Sequence, residues 1–267
     1  MSSPPRNPSV ERYGKVAVVA GASEGLGAAF ATALAARGHD LVLLARRAAV
    51  LDALAAQLRS TTPEVDVRCV ACDLADAAFV PAMHDAIAGR EVGIGVYNAA
   101  FSAIGPLLDR PLEDALRVID VNVKGPVRFV HALGPEMRLR KRGALVLMSS
   151  LAGFHGSPRI ATYAASKAFN IVLGESLWGE LRAEGVDVLV SGAGAIRTPG
   201  YTKTNKPDAP GTLDPSQVAE RTLGALGHGP LVVPGAVNKL ATFFLGRVIS
   251  RAGAVAIMQK NTADLDA

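Results

Sequence analysis

Short runs of valine and leucine alternate along this chain with longer segments in which apolar residues recur every three or four positions. Near-continuous apolar runs are typical of parallel strands that are covered on both faces, and segments of helical period supply the cover. The alternation therefore predicts an α/β protein with a doubly wound parallel sheet in three layers, α/β/α. The predicted strands are 15–20, 40–45, 65–71, 93–98, 143–149, 186–192 and 230–235.

Length and composition predict a single domain. The chain has 267 residues, of which 49% are hydrophobic and 19% are charged, and this suits one substantial core. Residues 1–13 hold three prolines and no apolar stretch of the length that a secretion signal needs. We therefore expect a flexible leader over 1–13, a catalytic domain over 14–235 and a cytoplasmic protein.

Two later segments can each be interpreted in more than one way. The segment of about 198–213 holds three prolines after the sixth predicted strand, and we expect a mobile substrate lid there, with a plain surface loop as the alternative. Residues 236–267 are expected to form an amphipathic extension, because cations interrupt the apolar residues before any run reaches the ~20 residues that span a bilayer. We expect this extension to pack against a partner subunit or over the substrate, with peripheral membrane contact as the alternative.

The charge pattern and the cysteines argue against two classes of function. A balance of 28 Lys and Arg against 24 Asp and Glu gives a net charge of +4, and the basic cluster at 138–142 is typical of the end of a helix. No interleaved aromatic residues accompany this cluster, so we expect no nucleic-acid partner. Cys69 and Cys72 form one C-x-x-C without a second pair, so we expect no metal site.

A glycine-rich turn, GASEGLG over 21–27, directly follows the first predicted strand and opens a helix. The exposed amides and the positive dipole end of such a helix bind a pyrophosphate. Gly21 permits the tight turn, Gly25 permits the approach of the phosphate, and Gly27 permits close packing of the helix on the strand. The placement predicts a Rossmann-type nucleotide site, with a purely structural turn as the alternative.

The second predicted strand is followed by Arg46 and Arg47, at the place where an acidic residue would hold the ribose of NAD. Guanidinium groups form charge-assisted hydrogen bonds with a 2′-phosphate, whereas a carboxylate would repel it. The pattern therefore favours NADP(H). The alternative is that the arginines are solvated at a helix start, and Glu24 in the glycine turn weakens the preference.

Tyr163 and Lys167 stand four residues apart, and Ser150 lies thirteen residues before the tyrosine. A spacing of four puts both side chains on one face of a helix. A free phenol titrates near pKa ~10, and we expect the ammonium to lower the pKa of Tyr163 so that it exchanges protons near neutral pH. Alone, the pair resembles ordinary helix neighbours; together with the glycine turn it predicts a proton donor for carbonyl reduction.

The motifs GASEGLG, CDL, YNAA, NVKG, MSS and YAASK occur in this order, and on them the chain resembles the short-chain dehydrogenase/reductase family from Lys15 to about Thr198. The resemblance implies a homodimer or homotetramer and a catalytic tetrad of Asn122, Ser150, Tyr163 and Lys167. The tyrosine and the lysine also contact the cofactor. The other implied cofactor contacts are Gly21, Ser23, Glu24, Gly25, Leu26, Gly27, Arg46, Arg47, Asp73, Leu74, Asn98, Ala99, Ile196 and Thr198. The chain departs from the family pattern at Ala20, Tyr97, Ala100 and Ala193.

The same resemblance implies roles for the tetrad. Ser150 is expected to hydrogen-bond the substrate carbonyl, with Ser149 as its competitor, and Tyr163 to donate the proton. Lys167 is expected to hold the nicotinamide ribose. For Asn122 there is also an argument from the chain itself, because Pro126 has no N–H to give to the carbonyl four residues earlier. That carbonyl is then free to hold a water that relays protons from Lys167, unless the proline merely kinks the helix.

These observations predict an NADP(H)-dependent ketoreductase that interconverts a ketone or aldehyde and an alcohol. Ala152, Phe154, Ile160 and the apolar tail are expected beside the substrate, so we expect a lipophilic one. An ordinary loop histidine is the favoured interpretation of His155. The alternatives are a non-catalytic dinucleotide sensor or scaffold of the same fold, and an epimerase or dehydratase of related fold.

Overall fold

A parallel sheet of seven strands forms the centre of the computed structural model, which describes residues 8–202, 207–263 and 265. The strands are β1 (Val16–Ala20), β2 (Asp40–Ala45), β3 (Val67–Ala71), β4 (Val92–Tyr97), β5 (Gly143–Ser150), β6 (Val186–Ala193) and β7 (Leu231–Val232). They pair in the order β3-β2-β1-β4-β5-β6-β7. The order reverses between β1 and β4, and at such a switch point the chain leaves the two strands toward opposite faces of the sheet.

Helices cover both faces of the sheet. They are α1 (Pro8–Tyr13), α2 (Gly25–Ala36), α3 (Ala48–Thr61), α4 (Phe79–Ile87), α5 (Leu112–Ile119), α6 (Gly125–Arg140), α7 (Ala161–Leu181), α8 (Pro199–Thr202), α9 (Pro215–Gly224), α10 (Ala236–Arg247) and α11 (Arg251–Thr262). A π-helical turn (Asp120–Lys124) joins α5 to α6, and 3₁₀ turns lie at Leu107–Asp109, Leu151–Gly153 and Arg182–Glu184.

The core has two halves, one on each face of the sheet. On one face, α2, α3 and α9 pack their apolar residues on the strands, and on the other face α4, α6 and α7 do so. Side chains of the central strands are buried on both faces, as near-continuous apolar runs require. The prediction of one domain with a doubly wound parallel sheet in three layers is therefore confirmed. The last predicted strand is shorter than expected, because Pro230 and Pro234 bracket it.

The prediction of a flexible leader is wrong for residues 8–13, which form α1; residues 1–7 lie outside the described part of the chain. Helix α1 packs against β4 and β5, and Tyr13 at its end is buried. The Tyr13 hydroxyl donates to Asp187 Oδ2 at 2.7 Å. Burial, with this bond to Asp187, raises the pKa of the Tyr13 phenol. A buried aromatic side chain with a hydrogen-bonded hydroxyl is enough to hold a short helix.

The segment predicted as a lid is described on both sides of 203–206, which lie outside the described residues. Its first part forms α8, and Arg197 makes ion pairs with Asp208 at 2.7 Å and with Asp214 at 2.8 Å. The backbone N–H of Leu213 donates to the carbonyl of Ala195 at 3.1 Å. The described ends of the segment are thus tied to one another, and a lid function stays a prediction.

His39, just before β2, generates a prediction about stability and pH. The ring is fully buried, and its Nε2 lies 2.8 Å from Ser9 Oγ in α1. Burial lowers the pKa of His39 to about 4. The unfolded ring titrates near ~6.5, so between these values the unfolded chain binds more protons, and the free energy of unfolding falls as the pH falls.

We expect His39 to remove about 1–2 kcal/mol from the unfolding free energy between pH 7 and pH 5. Urea unfolding at both pH values measures this loss, and His39→Gln should abolish that part of it. The matched control is His131→Gln, because His131 is an exposed histidine on α6. An unchanged pH dependence in the His39 variant would contradict the prediction.

Candidate active site

A cleft of about 480 Å³ lies at the carboxyl ends of the strands, at the β1/β4 switch point. It brings together sixteen of the positions predicted from the sequence. These are Gly21, Ser23, Glu24, Gly25, Leu26, Arg46, Arg47, Asp73, Leu74, Asn98, Ala99, Ser150, Tyr163, Lys167, Ile196 and Thr198. Two predicted positions, Gly27 and Asn122, do not line the cleft and lie behind its wall.

The glycine turn between β1 and α2 has the shape that a diphosphate needs. Gly21 and Gly25 have φ angles of +82° and +56°, which favour glycine. A Cβ at Gly21 would lie 2.6 Å from Ala99 Cα, and one at Gly25 would lie 3.0 Å from the Thr198 methyl group. No side chain caps the N-terminus of α2, so its first amides are left for an anionic ligand. The donors and the space therefore fit the diphosphate of a dinucleotide.

The two arginines after β2 have different surroundings. Arg47 donates to Ser23 Oγ at 3.2 Å and forms an ion pair with Glu24 at 2.8 Å, across the glycine turn. Arg46 is exposed and has no hydrogen-bond or ion-pair partner among the described residues. One guanidinium is therefore held at the cleft by a carboxylate, and the other is free to meet an anion.

Asp73 follows β3, the strand that pairs with β2, and the charge of Arg46 acts on its carboxyl group. Its Oδ2 forms an ion pair with Arg117 at 2.7 Å, and its Oδ1 accepts from the N–H of Ala75 at 3.1 Å. Burial opposes ionisation of Asp73, but the bonds from Ala75 and Arg117 outweigh it and lower the pKa of the carboxyl. Arg117 in turn lies over the ring of Phe101, 5.6 Å from its centroid. The carboxylate is thus fixed in its charged form at the edge of the cleft.

Asn122 holds two walls of the site together from behind. It lies fully buried in the π-helical turn, where the N–H of Gly125 donates to the carbonyl of Asp120, five residues back. Its amide accepts from the N–H of Phe101 at 2.8 Å and donates to the Phe101 carbonyl at 2.9 Å. It also donates to Ser166 Oγ at 3.0 Å, on the helix that carries Tyr163. The Asn122 side chain therefore holds the loop at Phe101 and the helix that carries Ser166 in position. A water bound at its backbone carbonyl stays a prediction.

Tyr97 explains one departure from the family pattern. Its hydroxyl donates to the carbonyl of Val121 at 2.6 Å, next to Asn122 in the π-helical turn. Its ring packs edge-on against Phe129 with the centroids 5.5 Å apart, and burial raises the pKa of the phenol. A Cβ at Gly125 would overlap the Tyr97 hydroxyl, so the large residue on β4 requires glycine at the start of α6. Sequence reasoning missed this pair because its members lie 28 residues apart in the chain.

The two serines at the end of β5 have different partners. Ser149 is buried, and its Oγ donates to the carbonyl of Lys167 at 2.8 Å. Ser150 Oγ accepts from the N–H of Ala152 at 3.2 Å and has its proton left for another acceptor. The bond of Ser149 to the backbone supports the prediction that Ser150 is the serine available to a substrate.

Tyr163 and Lys167 meet at the base of the cleft, but their electrostatics differ from the sequence prediction. Lys167 Nζ lies 5.5 Å from the centroid of the Tyr163 ring and donates to the Met148 carbonyl at 3.0 Å. Burial lowers the pKa of Lys167 to about 8. Burial also raises the pKa of Tyr163, while its hydrogen bond with Ser150 opposes the rise. The expected lowering of the pKa of the phenol by Lys167 is therefore not seen here, because burial disfavours the phenolate and the opposing effect comes from Ser150.

Ile196 and Thr198 follow β6, where the family pattern has a proline at position 193. The turn is held instead by the bridge of Ile196 with Leu213 and by the N–H of Thr198, which donates to the Ile196 carbonyl at 2.6 Å. Thr198 also borders Gly25 of the glycine turn. The loss of the proline at Ala193 therefore leaves both residues at the cleft.

The C-terminal extension packs on the same apolar cluster as Tyr163, a contact that sequence reasoning did not resolve residue by residue. Met258 in α11 and Leu265 pack with Tyr163 against an apolar cluster of Ala152, Ile160 and Ala164. Arg159, with a left-handed φ of +65°, donates to the Leu265 carbonyl at 2.6 Å. The wall beside the predicted proton donor is therefore apolar.

Among the residues that the structure describes, no group of three or more His, Cys, Asp and Glu side chains has the geometry to hold a metal ion, and Cys69 and Cys72 are free thiols. None of the helices in the same residues has both the length and the apolar character to cross a membrane.

The sheet order, the glycine turn and the open helix N-terminus define a dinucleotide-binding α/β protein. Residues 15–209 match the sequence profile of the family described as short chain dehydrogenase, and the chain belongs to that family. Members of the family are oxidoreductases that act on hydroxyl and carbonyl groups and use nicotinamide dinucleotide cofactors.

Two relatives illustrate the range of substrates. The chain is 31% identical over 239 residues to a 7beta-hydroxysteroid dehydrogenase of Collinsella aerofaciens, with 86% of this chain and 89% of the relative covered. It is 34% identical over 221 residues to a very-long-chain 3-oxoacyl-CoA reductase of Phaeosphaeria nodorum, with 80% of this chain covered. The chain spans 64% of the length of that fungal reductase.

Solved structures show the same architecture. A 7beta-hydroxysteroid dehydrogenase, studied for its stereoselectivity, superposes with a TM-score of 0.88 at 28% identity and covers 93% of this chain and 98% of its own. A short-chain dehydrogenase of Sphingobium yanoikuyae in complex with NADPH superposes with a TM-score of 0.76 at 27% identity. The match covers 94% of this chain and 96% of that one. A 3-oxoacyl-[acyl-carrier protein] reductase of Brucella melitensis with bound NAD superposes with a TM-score of 0.73 at 25% identity. The match covers 88% of this chain and 97% of that one.

The contact between Tyr97 and Gly125 generates a prediction about stability. We expect Gly125→Ala to lower the unfolding free energy by about 1–3 kcal/mol, because the added methyl group overpacks the buried Tyr97 hydroxyl. In a Tyr97→Asn background the same substitution should cost less than in the native background. Urea unfolding of the four proteins of this double-mutant cycle gives the coupling energy.

The matched control is Gly134→Ala on the same helix, where an added Cβ meets nothing within 4 Å. We expect it to be neutral or to stabilise by up to about 1 kcal/mol, because alanine is the better helix former. If Gly125→Ala and Gly134→Ala lowered the unfolding free energy equally, the contact with Tyr97 would not be the cause of the loss at Gly125.

Proposed function

We propose that this protein is an NADP(H)-dependent oxidoreductase that interconverts a ketone or aldehyde and an alcohol on a lipophilic substrate. The observation that carries the proposal is the convergence of Ser150, Tyr163 and Lys167 on the cleft that the glycine turn opens. A dinucleotide sensor or scaffold has no use for a serine, a tyrosine and a buried lysine that converge beside its cofactor site.

The proposed chemistry assigns one task to each side chain. Bound nicotinamide supplies or accepts the hydride. Tyr163 Oη donates a proton to the substrate oxygen during reduction, and its raised pKa keeps it protonated at neutral pH. Ser150 Oγ donates a hydrogen bond to the same oxygen, which positions it for the proton.

Lys167 is proposed to hold the nicotinamide ribose and to exchange protons with the site. With a pKa of about 8 it is mostly protonated at pH 7, yet it gives up a proton more readily than an exposed lysine. Asn122 is proposed to act through position, because its amide links the loop at Phe101 to Ser166 on α7. Ser166 in turn donates to the Tyr163 carbonyl at 2.7 Å, so this side chain contributes to the position of Tyr163.

A lipophilic substrate is supported by the apolar surroundings of Tyr163. Met258 and Leu265 pack with Tyr163 on the apolar cluster of the β5-to-α7 segment. Relatives that act on a hydroxysteroid or a very-long-chain acyl group have substrates of this character. We therefore propose a steroid-like or long acyl ketone as the substrate class.

A test of the reaction follows NADPH absorbance with a panel of lipophilic and small charged ketones. We expect turnover of lipophilic ketones, with Tyr163→Phe and Ser150→Ala each lowering kcat/KM by about 10²–10⁴, because proton donation and its alignment are lost. Ser149→Ala is the matched control and should stay within a few-fold of wild type, because its hydroxyl is bonded to the Lys167 carbonyl.

Three outcomes would count against this proposal. Loss of activity in Ser149→Ala with retention in Ser150→Ala would reverse the serine assignment. Turnover of small charged ketones alone would remove the lipophilic substrate. Cofactor binding without turnover on any ketone would favour the sensor or scaffold.

The preference for NADP(H) is supported by the two arginines after β2 and by the absence of an acidic residue between Ala45 and Arg47. Arg46 has a free guanidinium for a 2′-phosphate, whereas Arg47 is shared with Glu24. A carboxylate beside the phosphate site lowers affinity for the dianion, so Glu24 is proposed to limit the preference.

We expect Arg46→Gln to lower kcat/KM for NADPH by about tenfold to a hundredfold and to leave NADH within a few-fold, because a charge-assisted bond is lost only with the phosphate. Glu24→Gln should raise the NADPH-to-NADH ratio by freeing Arg47. Arg138→Gln is the matched control, since it removes a cation at the C-terminal end of α6. A preference of wild type for NADH that Arg46→Gln leaves unchanged would defeat the assignment.

A homodimer or homotetramer is also proposed. Apolar side chains are exposed on the adjacent helices α5 and α7, at Leu112, Leu116, Phe169 and Val172. Faces of this kind are typical of subunit contacts. A cytoplasmic location remains a prediction from the sequence.

A further inference from the structure

The C-terminal part of the chain has a charge balance unlike the rest. Residues 221–263 contain no Asp or Glu and five basic residues, which are Arg221, Lys239, Arg247, Arg251 and Lys260. The whole chain has 28 Lys and Arg against 24 Asp and Glu, so the remainder holds 23 against 24. The net positive charge of the protein therefore comes from this one stretch.

Helix α10, within this stretch, buries an uncharged polar side chain against the domain. Asn238 is buried at 3% exposure, and its Nδ2 donates to the carbonyls of Gly211 and Pro234 at 3.0 and 2.9 Å. Thr242, one turn later, donates to the Asn238 carbonyl at 2.8 Å. The contact of α10 with the domain is thus made by an amide and its neighbours, and Gly194 and Gly211 leave room for that amide.

The opposite side of α10 carries the apolar residues. Val237, Leu240, Phe243 and Phe244 are about half exposed, at 52%, 59%, 54% and 45%, and Val248 follows at 64%. Positions 237, 240, 244 and 248 repeat every three or four residues and so form one stripe. The rings of Phe243 and Phe244 meet edge-on, 5.7 Å apart. A helix that buries an asparagine and leaves a stripe of large apolar side chains in solvent is suited to meet an apolar medium.

Cations border this stripe. Lys239, Arg247 and Arg251 are exposed and have no ion-pair partner among the described residues. We call the stripe and these three cations the C-terminal surface. Its apolar centre with unpaired cations is the composition of a helix that lies in the interface of an anionic bilayer.

We propose that the C-terminal surface docks on an anionic lipid bilayer, with α10 lying in the plane of the headgroups. The helix has 12 residues and so is about 18 Å long, short of the ~30 Å hydrocarbon core, which suits lying on the bilayer and not crossing it. Its apolar residues enter the headgroup boundary, and the cations meet lipid phosphates and carboxylates.

A second copy of this chain fits the same surface less well. An isologous contact would set the surface against itself, and like charges would then meet without an acidic residue from 221–263 to separate them. The apolar faces of α5 and α7 lie on other helices and remain available for subunit contacts.

The experiment is sedimentation of the purified full-length protein with vesicles of about 100 nm diameter, made of phosphatidylcholine alone or with 30% phosphatidylserine. We expect binding to the phosphatidylserine vesicles that weakens at high salt. Leu240→Gln/Phe244→Gln should lower the partition coefficient by about tenfold or more, because burial of two apolar side chains is lost. Lys239→Gln/Arg247→Gln should lower it by about twenty-five-fold on the anionic vesicles, since each cation near such a surface contributes about fivefold.

Leu108→Gln/Leu139→Gln is the matched control, because both leucines are strongly exposed outside the C-terminal surface. It should bind like wild type. Circular dichroism checks the fold of each variant, and multi-angle light scattering gives its mass.

Binding that is absent, indifferent to phosphatidylserine, or equal in all variants would overturn the proposal. A change of mass in Leu240→Gln/Phe244→Gln without vesicle binding by wild type would assign the surface to a second copy instead. Ketone reduction by each variant in solution is expected to match wild type, so failure of docking and failure of the proposed oxidoreductase activity are told apart.

Discussion

The site depends on the hydrogen bonds that join the ends of β1 and β4, where the strand order reverses. The carbonyl of Ala20 accepts from the N–H groups of Asn98 and Ala99 at 2.9 and 3.0 Å, and the Asn98 amide donates to the Gly21 carbonyl at 2.9 Å. The loop after β4 then reaches Asn122, whose amide leads through Ser166 to the Tyr163 carbonyl. The glycine turn and the predicted proton donor are thereby held by one path of bonds, so the geometry of one end constrains the other.

Burial sets the chemistry at the end of this path. A low dielectric disfavours charge on either partner, so it raises the pKa of Tyr163 and lowers that of Lys167 to about 8. The phenol is therefore neutral at pH 7 beside a lysine that is still mostly protonated, and the two do not form a phenolate and ammonium pair. A site with this balance holds a proton on the phenol at neutral pH, as reduction of a carbonyl needs. The lysine donates to the Met148 carbonyl, which places it by a hydrogen bond and leaves its charge sensitive to pH.

The sequence predicted the fold because the signals involved are local. Apolar runs, helical periods and a glycine turn after a strand each fix a short segment, and a parallel sheet then leaves few ways to arrange them. Sixteen of the predicted positions line one cleft for the same reason, since strand ends share an edge. What the sequence could not supply was long-range packing. The contact of Tyr97 with Gly125, the burial of Tyr13 under Asp187 and the desolvation of Tyr163 all depend on residues distant in the chain.

The C-terminal helices show the same limit in a different form. An amphipathic pattern predicts that a helix has one apolar and one polar face. Which of the two faces is buried depends on the part of the domain that the helix packs against. Here the domain offers α10 the carbonyls of Gly211 and Pro234, and an amide satisfies buried carbonyls where a leucine would leave them unpaired. The side that carries Asn238 therefore faces the domain, and the apolar stripe and the cations are left outside. Helix α11 follows the usual rule and packs Met258 beside Tyr163. Adjacent helices thus give Tyr163 apolar surroundings and the surface its apolar stripe, because the groups that the domain presents to each helix determine which side of that helix is covered.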